Sequence, residues 1–270
     1  MSERVAVIGA GMMGGSIIKS LLKGKYQGKI AAADFMTEKL KEFESLDVVV
    51  SADNRKAASE ADIIFVSVKP GDLSKVLKEI SKETKGKLVI STAATVPLSF
   101  IKKDVPEAKV VRIMPNIGAL VQASYTAFCC DAAVTKEDKE KIKALLNLMG
   151  VSDEVDEKYM DAITGLSGSG PGYMSIIAEA LTYAGLKVGL PRDIAEKAAA
   201  QVMFGTAKLI MDLPEHPAKI RDMVTTPGGT TIEAVYELER AKVRQALMRA
   251  VEQATRKSVK IREKVCPECK

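Results

Sequence analysis

Residues 4–23 read Arg4-Val-Ala-Val-Ile8-Gly9-Ala-Gly11-Met-Met-Gly14-Gly-Ser-Ile-Ile-Lys-Ser-Leu-Leu-Lys23. A short β-branched run enters a glycine turn, and a helical pattern leaves it. The order predicts a strand over Arg4–Ile8 and a helix over Gly14–Lys23. Alone, Gly9-x-Gly11-x-x-Gly14 is a weak signal that a ligand-free turn also satisfies. Between a strand and a helix it is the turn that holds a dinucleotide. Gly9 permits the tight bend, Gly11 lets a pyrophosphate approach the backbone, and Gly14 lets helix and strand pack closely. Ala10, Met12 and Met13 complete the turn. The free N–H groups and positive end of the helix then hold phosphate.

The alternation continues outward from this unit. Strands are expected at Lys29–Ala33, Val48–Val50, Ile63–Val68, Lys87–Ser91, Lys109–Met114 and Thr126–Cys129. Helices are expected at Thr37–Glu44, Asn54–Glu60, Asp72–Ser81 and Lys136–Met149, the last capped by Thr135 and closed by Gly150. Continuous apolar strands separated by helices mean a mostly parallel, doubly wound sheet covered on both faces. After Val155 the pattern changes. No strand is expected from about Glu157 onward, and long helical stretches cover Tyr173–Lys187, Arg192–Met211 and Gly229–Val265. The expected division is a dinucleotide-binding domain over residues 1–156 and a helical domain over 157–270. Arg192–Met211 is apolar on most faces, including Val202, Phe204, Leu209, Ile210 and Met211. Such a helix is covered on several sides. The expected cover is a second subunit, the alternative being a monomeric bundle.

Ligands of open α/β sheets bind beyond the carboxyl ends of the strands. Four groups of residues stand there. Asp34 closes the second strand, where a carboxylate accepts hydrogen bonds from ribose hydroxyls and repels a 2′-phosphate. No Arg follows it closely, although Lys39 is within reach, so NADH is expected over NADPH. Val68-Lys69-Pro70, Thr92-Ala93-Ala94 and Met114-Pro115-Asn116 close later strands, and suit a nicotinamide ring and its carboxamide.

Composition narrows the function further. Hydrophobic residues make up 47% and charged residues 28%, a balance that excludes wholesale disorder. The +5 charge is concentrated at the end, where Arg256–Lys270 holds six Lys or Arg and two Glu. With no Trp and 4% aromatics, a nucleic-acid surface built on stacking is not expected. No apolar run reaches the ~18 residues of a membrane span. The apolar run near the start is too short for a signal peptide, so a cytoplasmic protein is expected. Cys129 and Cys130 read as buried hydrophobes. Cys266-Pro-Glu-Cys269 supplies only two of the four ligands of a structural zinc site and reads as an unstructured tail, with a metal shared between subunits or an occasional disulfide as the alternatives. No metal is expected.

Two glycine-rich segments interrupt the helical half: Gly165-Leu-Ser-Gly-Ser-Gly-Pro-Gly-Tyr173 and Val224-Thr-Thr-Pro-Gly-Gly-Thr-Thr-Ile232. The second leads into a helix, where backbone N–H groups and Thr hydroxyls can hold a carboxylate. Arg221-Asp-Met-Val-Thr-Thr-Pro-Gly-Gly-Thr-Thr-Ile-Glu-Ala-Val resembles the signature of the pyrroline-5-carboxylate reductase family. Gly165–Tyr173 is similar to another stretch of that family, with Gly172 in place of Ala. Val68-Lys69-Pro70 and Met114-Pro115-Asn116 also fit, and the resemblance extends to about residue 255.

The resemblance implies reduction of a cyclic imine to L-proline by NAD(P)H, the last step of proline synthesis. It also implies a Rossmann domain followed by a helical dimerisation domain, in dimers that often form decamers. The loop Thr226, Gly228, Gly229, Thr230 and Thr231 would meet the substrate, with Thr231 near the ring nitrogen. Glu157 would touch substrate, and Asn54 would lie at the adenosine end. The segment after Asn116 departs from the family pattern: Ile117-Gly118 and Gln122-Ala123-Ser124 stand where Thr-Pro and Gly-x-Gly are usual.

The chemistry suits the residues. The single histidine, His216, sits between Glu215 and Pro217 and reads as an exposed turn. A protonated imine is already an electrophile, so orientation and a hydrogen bond at nitrogen are sufficient. Two alternatives remain at this stage. One is a β-hydroxyacid or other imine oxidoreductase of the same architecture, for which Lys158 would have to lie on a helix. The other is a non-catalytic dinucleotide sensor.

Overall fold

A computed structural model describes residues 2–213 and 215–267. The chain forms two compact units, Met1–Ser169 with Glu252–Lys270, and Gly170–Val251.

The first unit contains β1 (Val5–Ile8), α1 (Met12–Lys23), β2 (Ile30–Ala33), α2 (Lys41–Glu44), β3 (Val48–Ser51), α3 (Asn54–Glu60), β4 (Ile63–Val66) and α4 (Pro70–Ile80). It continues with β5 (Leu88–Ser91), α5 (Leu98–Asp104), β6 (Lys109–Met114), β7 (Ser124–Cys130), α6 (Lys136–Leu146), β8 (Gly150–Glu154) and α7 (Met160–Ile163). The eight strands form one sheet in the order β3-β2-β1-β4-β5-β6-β7-β8. All pairs are parallel except β6 with β7.

The two-residue period of the strands sorts their side chains onto two cores. Val5 and Val7 pack with Ile17, Ile18, Leu21 and Phe43 on one face. Ala6 and Ile8 pack with Leu73, Leu77 and Ile80 on the other. Every residue of β1, β4 and β5 is buried, as strands covered on both faces require. Register then aligns the carboxyl ends. Ile8 pairs with Ala33 and Val66, and Val66 with Ser91. The segments that begin at Gly9, Asp34, Ser67 and Thr92 therefore leave the sheet along one row.

Sequence reading missed α5 and β8. It took Gly150 as the residue closing α6, but α6 ends at Leu146 and Gly150 opens β8. Gly150 has φ +143°, and a Cβ there would lie 2.1 Å from the Ser124 carbonyl oxygen, so β7–β8 pairing selects glycine. The Thr135 cap is present. Its hydroxyl accepts from the Asp138 N–H, and the Asp138 carboxylate accepts from the Thr135 N–H.

The sequence pattern changes near residue 157, yet the first unit extends to Ser169. Met160 is buried against Ala127 and Cys129, and the π-helical turn Thr164–Gly168 is bonded through Ser167 to Asn116, which follows β6, and to Tyr125 of β7. Residues after Glu252 also belong to this unit. There Ser258 Oγ donates to Asp161 Oδ1 at 2.6 Å, and Arg262 Nε to Asp161 Oδ2 at 2.8 Å. Cys266, read from sequence as part of an unstructured tail, is instead buried and disulfide-bonded. Cys269 lies outside the described residues.

The second unit holds α8 (Gly170–Lys187), α9 (Arg192–Asp212), α10 (Pro217–Met223) and α11 (Thr230–Arg240), and α12 (Val243–Val265) begins in it. The expected Gly229–Val265 helix is broken at Lys242, whose φ is +56°. Helices α8 and α9 pack closely, since a Cβ on Gly185 would lie 2.8 Å from that of Ala195. Of α9, however, only Ala195 and Ala199 are buried, while Phe204 is 63% and Met211 70% exposed.

Candidate active site

The row of strand ends opens into a cleft of about 520 Å³. Gly9, Gly11, Met12, Met13, Asp34, Asn54, Val68, Lys69, Pro70 and Ala93 all line it. Sequence reading did not single out Phe35, Ser67 and Asp72, which also line it. Ala10 and Gly14 belong to the same turn without lining the cleft.

The glycine turn fits a dinucleotide for three separate reasons. Gly9 has φ +93°, and a Cβ there would lie 2.6 Å from the Ser67 carbonyl oxygen. A Cβ on Gly14 would lie 1.8 Å from the Gly9 carbonyl oxygen, so α1 can approach β1 only without one. Gly11 has no neighbour within 4 Å of a built Cβ, which leaves its surface open to a ligand. Gly11 also precedes α1 without a side-chain cap, and the first turn of α1 has no acidic residue. The positive helix end therefore remains available to phosphate.

Asp34 is 5% exposed. Its Oδ2 accepts from the Ala10 N–H at 2.9 Å and its Oδ1 from the Met36 N–H at 2.8 Å. Lys39 folds back from the next turn, with Nζ 3.3 Å from Oδ2 and 5.7 Å from the Phe35 ring centroid. The carboxylate thus has a cationic partner on the cleft wall. Asn54 begins α3, which Asp53 caps, and its amide donates to Glu79 Oε2 at 3.2 Å. Pro70 begins α4, so a second helix N-terminus faces the cleft.

Asn116 and Glu157, also predicted, lie off the cleft lining as well. The Asn116 amide is held by the protein, donating to the Ser167 carbonyl and hydroxyl oxygens at 3.2 Å and accepting from the Gly118 N–H at 2.9 Å. Glu157 Oε1 accepts from the Leu98 N–H at 2.7 Å and from Arg112 Nη1 at 3.1 Å. Sequence reading overlooked Arg112. Its signal was a lone cation inside the apolar strand Lys109–Met114, where a charge is costly unless paired.

The segment Thr226–Thr231 lies in the second unit. Gly228 has φ +67°, and Gly229 donates to the Thr226 carbonyl at 3.0 Å. Gly229 precedes α11 without a side-chain cap, and Thr230 and Thr231 are its first two residues. Among the described residues neither hydroxyl has a partner. His216 is exposed and caps α10 through Nδ1, which accepts from Ala218 N–H. Lys158 lies in the single turn Glu157–Tyr159, exposed and paired with Asp156, not on the longer helix an acid–base lysine would need. Burial pushes the Cys129 and Cys130 thiols up to about 12, so neither is a nucleophile at neutral pH. No metal-binding cluster occurs among the described residues.

A doubly wound sheet with a glycine turn at its switch point, followed by a helical unit, defines a Rossmann-type oxidoreductase. Residues 157–261 match the family described as pyrroline-5-carboxylate reductase dimerisation, and residues 4–95 the one described as NADP oxidoreductase, coenzyme F420-dependent. A pyrroline-5-carboxylate reductase of Synechocystis is 39% identical over 98% of this chain and 100% of its own. The Escherichia coli protein of that name is 36% identical over 97% of this chain and 99% of its own. Among solved structures, a Coxiella burnetii pyrroline-5-carboxylate reductase superposes with TM-score 0.89 at 30% identity, covering 96% of this chain and 98% of that one. A Plasmodium falciparum pyrroline carboxylate reductase with NADP bound superposes with TM-score 0.87 at 27% identity, with the same coverage. The chain belongs to the pyrroline-5-carboxylate reductase family.

Proposed function

We propose that this protein reduces the C=N bond of 1-pyrroline-5-carboxylate to give L-proline, the last step of proline synthesis. The observation that carries the reading is the uncapped start of α11, with two threonine hydroxyls unpartnered among the described residues, in a chain that matches such a reductase over 98% of its length. When bound, NAD(P)H supplies a hydride to the imine carbon. The chain's own residues do the rest. Backbone N–H groups of the loop through Thr226, Gly228 and Gly229 hold the substrate carboxylate at a helix N-terminus. Thr230 contacts the substrate, and the Thr231 hydroxyl hydrogen-bonds the ring nitrogen, which carries a proton when the hydride arrives and stays protonated as the product amine. Glu157 is a further candidate for substrate contact. No general base is needed, because hydride attack neutralises the cationic imine and orientation supplies much of the rate.

The glycine turn Gly9–Gly14 holds the pyrophosphate, Asp34 and Asn54 meet the adenosine half, and Val68, Lys69, Pro70, Ala93 and Asn116 frame the nicotinamide half. NADH serves at least as well as NADPH, because Asp34 opposes a 2′-phosphate. Lys39, paired with that carboxylate, tempers the opposition. The helical unit joins two chains as a homodimer, and dimers assemble into decamers. Its exposed apolar helices and its match to a dimerisation family support this. The enzyme works in the cytoplasm, without metal and without nucleic-acid or membrane partners. Among the described residues no helix is long and apolar enough to cross a membrane.

The test mixes the full-length protein with pyrroline-5-carboxylate and NADH or NADPH and follows dihydronicotinamide absorbance. Loss of absorbance with proline formed is expected. No turnover with either cofactor would sink the reading.

A further inference from the structure

β6 is buried from Val110 to Ile113, yet its third buried residue is Arg112, 1% exposed. A guanidinium keeps its charge in any protein interior, so it must be met by acceptors. Nη1 donates to Glu157 Oε1 at 3.1 Å and Nη2 to the Ala94 carbonyl at 2.5 Å. Among the described residues Nε is buried with no partner, as is Thr95 Oγ1 beside Ala94. Packing alone favours an apolar side chain at such a place. Both acceptors belong to the proposed site. Ala94 ends the turn Thr92–Ala94, which lines the cleft. Glu157 has its Oε1 shared between Arg112 and the Leu98 N–H, while Oε2 has no partner among the described residues and the side chain is 35% exposed.

We propose that Arg112 is a positioning residue for the reduction. It locks the Ala94 turn at the edge of the cofactor cleft. It also fixes Glu157 so that Oε2 is left to offset the positive charge of the ring, protonated imine or secondary ammonium product, while Thr231 takes the single N–H of the imine. The proposal rests on the functional reading above.

Four full-length variants test it: Arg112→Met, Arg112→Lys, Glu157→Gln, and Arg112→Met with Glu157→Gln. The readouts are kcat and KM for pyrroline-5-carboxylate, the Kd of the reduced cofactor by fluorescence, and the thermal midpoint. Glu157→Gln is expected to raise substrate KM about tenfold and to leave the cofactor Kd within about twofold. Arg112→Met is expected to raise both, because both ends of the tie are released. In the double variant the KM should be no worse than in Arg112→Met, since the same contact has been lost once. Arg112→Lys should recover part of the cofactor affinity, its ammonium reaching one acceptor. A folded Arg112→Met with wild-type KM and Kd would overturn the proposal, as would effects that multiply in the double variant. If Arg112→Met fails to fold, Arg112→Lys and Glu157→Gln decide, and wild-type KM in both overturns it. If the wild type turns over with neither cofactor, the functional reading falls by itself. The cofactor Kd of the Arg112 variants then still judges the Ala94 turn.

Discussion

The two compact units use apolar residues in opposite ways. In the first, β1, β4 and β5 are buried throughout, and two helical layers close both faces of the sheet. In the second, α8 has no buried residue and α9 buries only two alanines, although both carry large hydrophobes. The first unit completes its core from its own chain. The second leaves large hydrophobes such as Phe204 and Met211 exposed, and its sequence matches a family described by dimerisation. Composition alone does not separate these cases; cover does.

The sharpest break of this contrast is one charge on α9. Phe204→Glu is expected to convert the proposed homodimer to monomer or aggregate and to abolish turnover, with the first unit still binding cofactor. Light scattering at micromolar concentration reads it, and an unchanged oligomer would place the interface elsewhere. A smaller loss, about 10²-fold in turnover, is expected from Thr231→Ala and equally from Thr231→Val, with cofactor affinity retained. Turnover at the wild-type rate in either folded variant removes the hydroxyl from the chemistry.

The first unit should break from inside. Gly14→Ala puts a methyl group 1.8 Å from the Gly9 carbonyl oxygen, so α1 must shift. A stability loss of about 1–3 kcal/mol is expected, with weakened cofactor binding and an unchanged oligomer. Denaturant midpoints and sedimentation check both halves.

At the rim of the cleft, Asp34→Ser should move preference toward NADPH and Lys39→Ala toward NADH, each by about tenfold, or about 1.4 kcal/mol. Competing cofactor titrations decide. A wild type that already prefers NADPH tenfold would show Asp34 to be structural.

The mildest effect is acid lability of the first unit. The Arg4 guanidinium holds Asp62 below its ordinary value of 3.8. In Asp138 burial acts upward, but Lys109 and Thr135 outweigh it and the net shift is also downward. Depressed folded values mean stabilisation that is present above about pH 4 and lost as pH falls further. Denaturation midpoints should be flat near neutrality and fall below pH 4, and less steeply in Arg4→Gln.

How much was legible follows from range in sequence. The glycine turn, the α/β alternation, the Thr135 cap and the Thr226–Thr231 loop each depend on neighbours a few residues apart. Local geometry and the periods 2.0 and 3.6 therefore determined them before any folding was known. Strand β8 was hidden because its pattern is short and polar, and only pairing with β7 makes it a strand. Asp34 was placed on the correct strand end with Lys39 in reach, but not the two N–H groups that its oxygens accept from. The pairing of Arg112 with Glu157, 45 residues apart, follows from no local rule. Cys266 was read as a loose tail and is buried. Sequence by itself determined where most helices and strands and the phosphate turn would form, because these are set by backbone sterics and hydrophobic period. Tertiary structure alone decided which buried charges meet and which apolar faces stay open. Both depend on distances through space that chain separation does not encode.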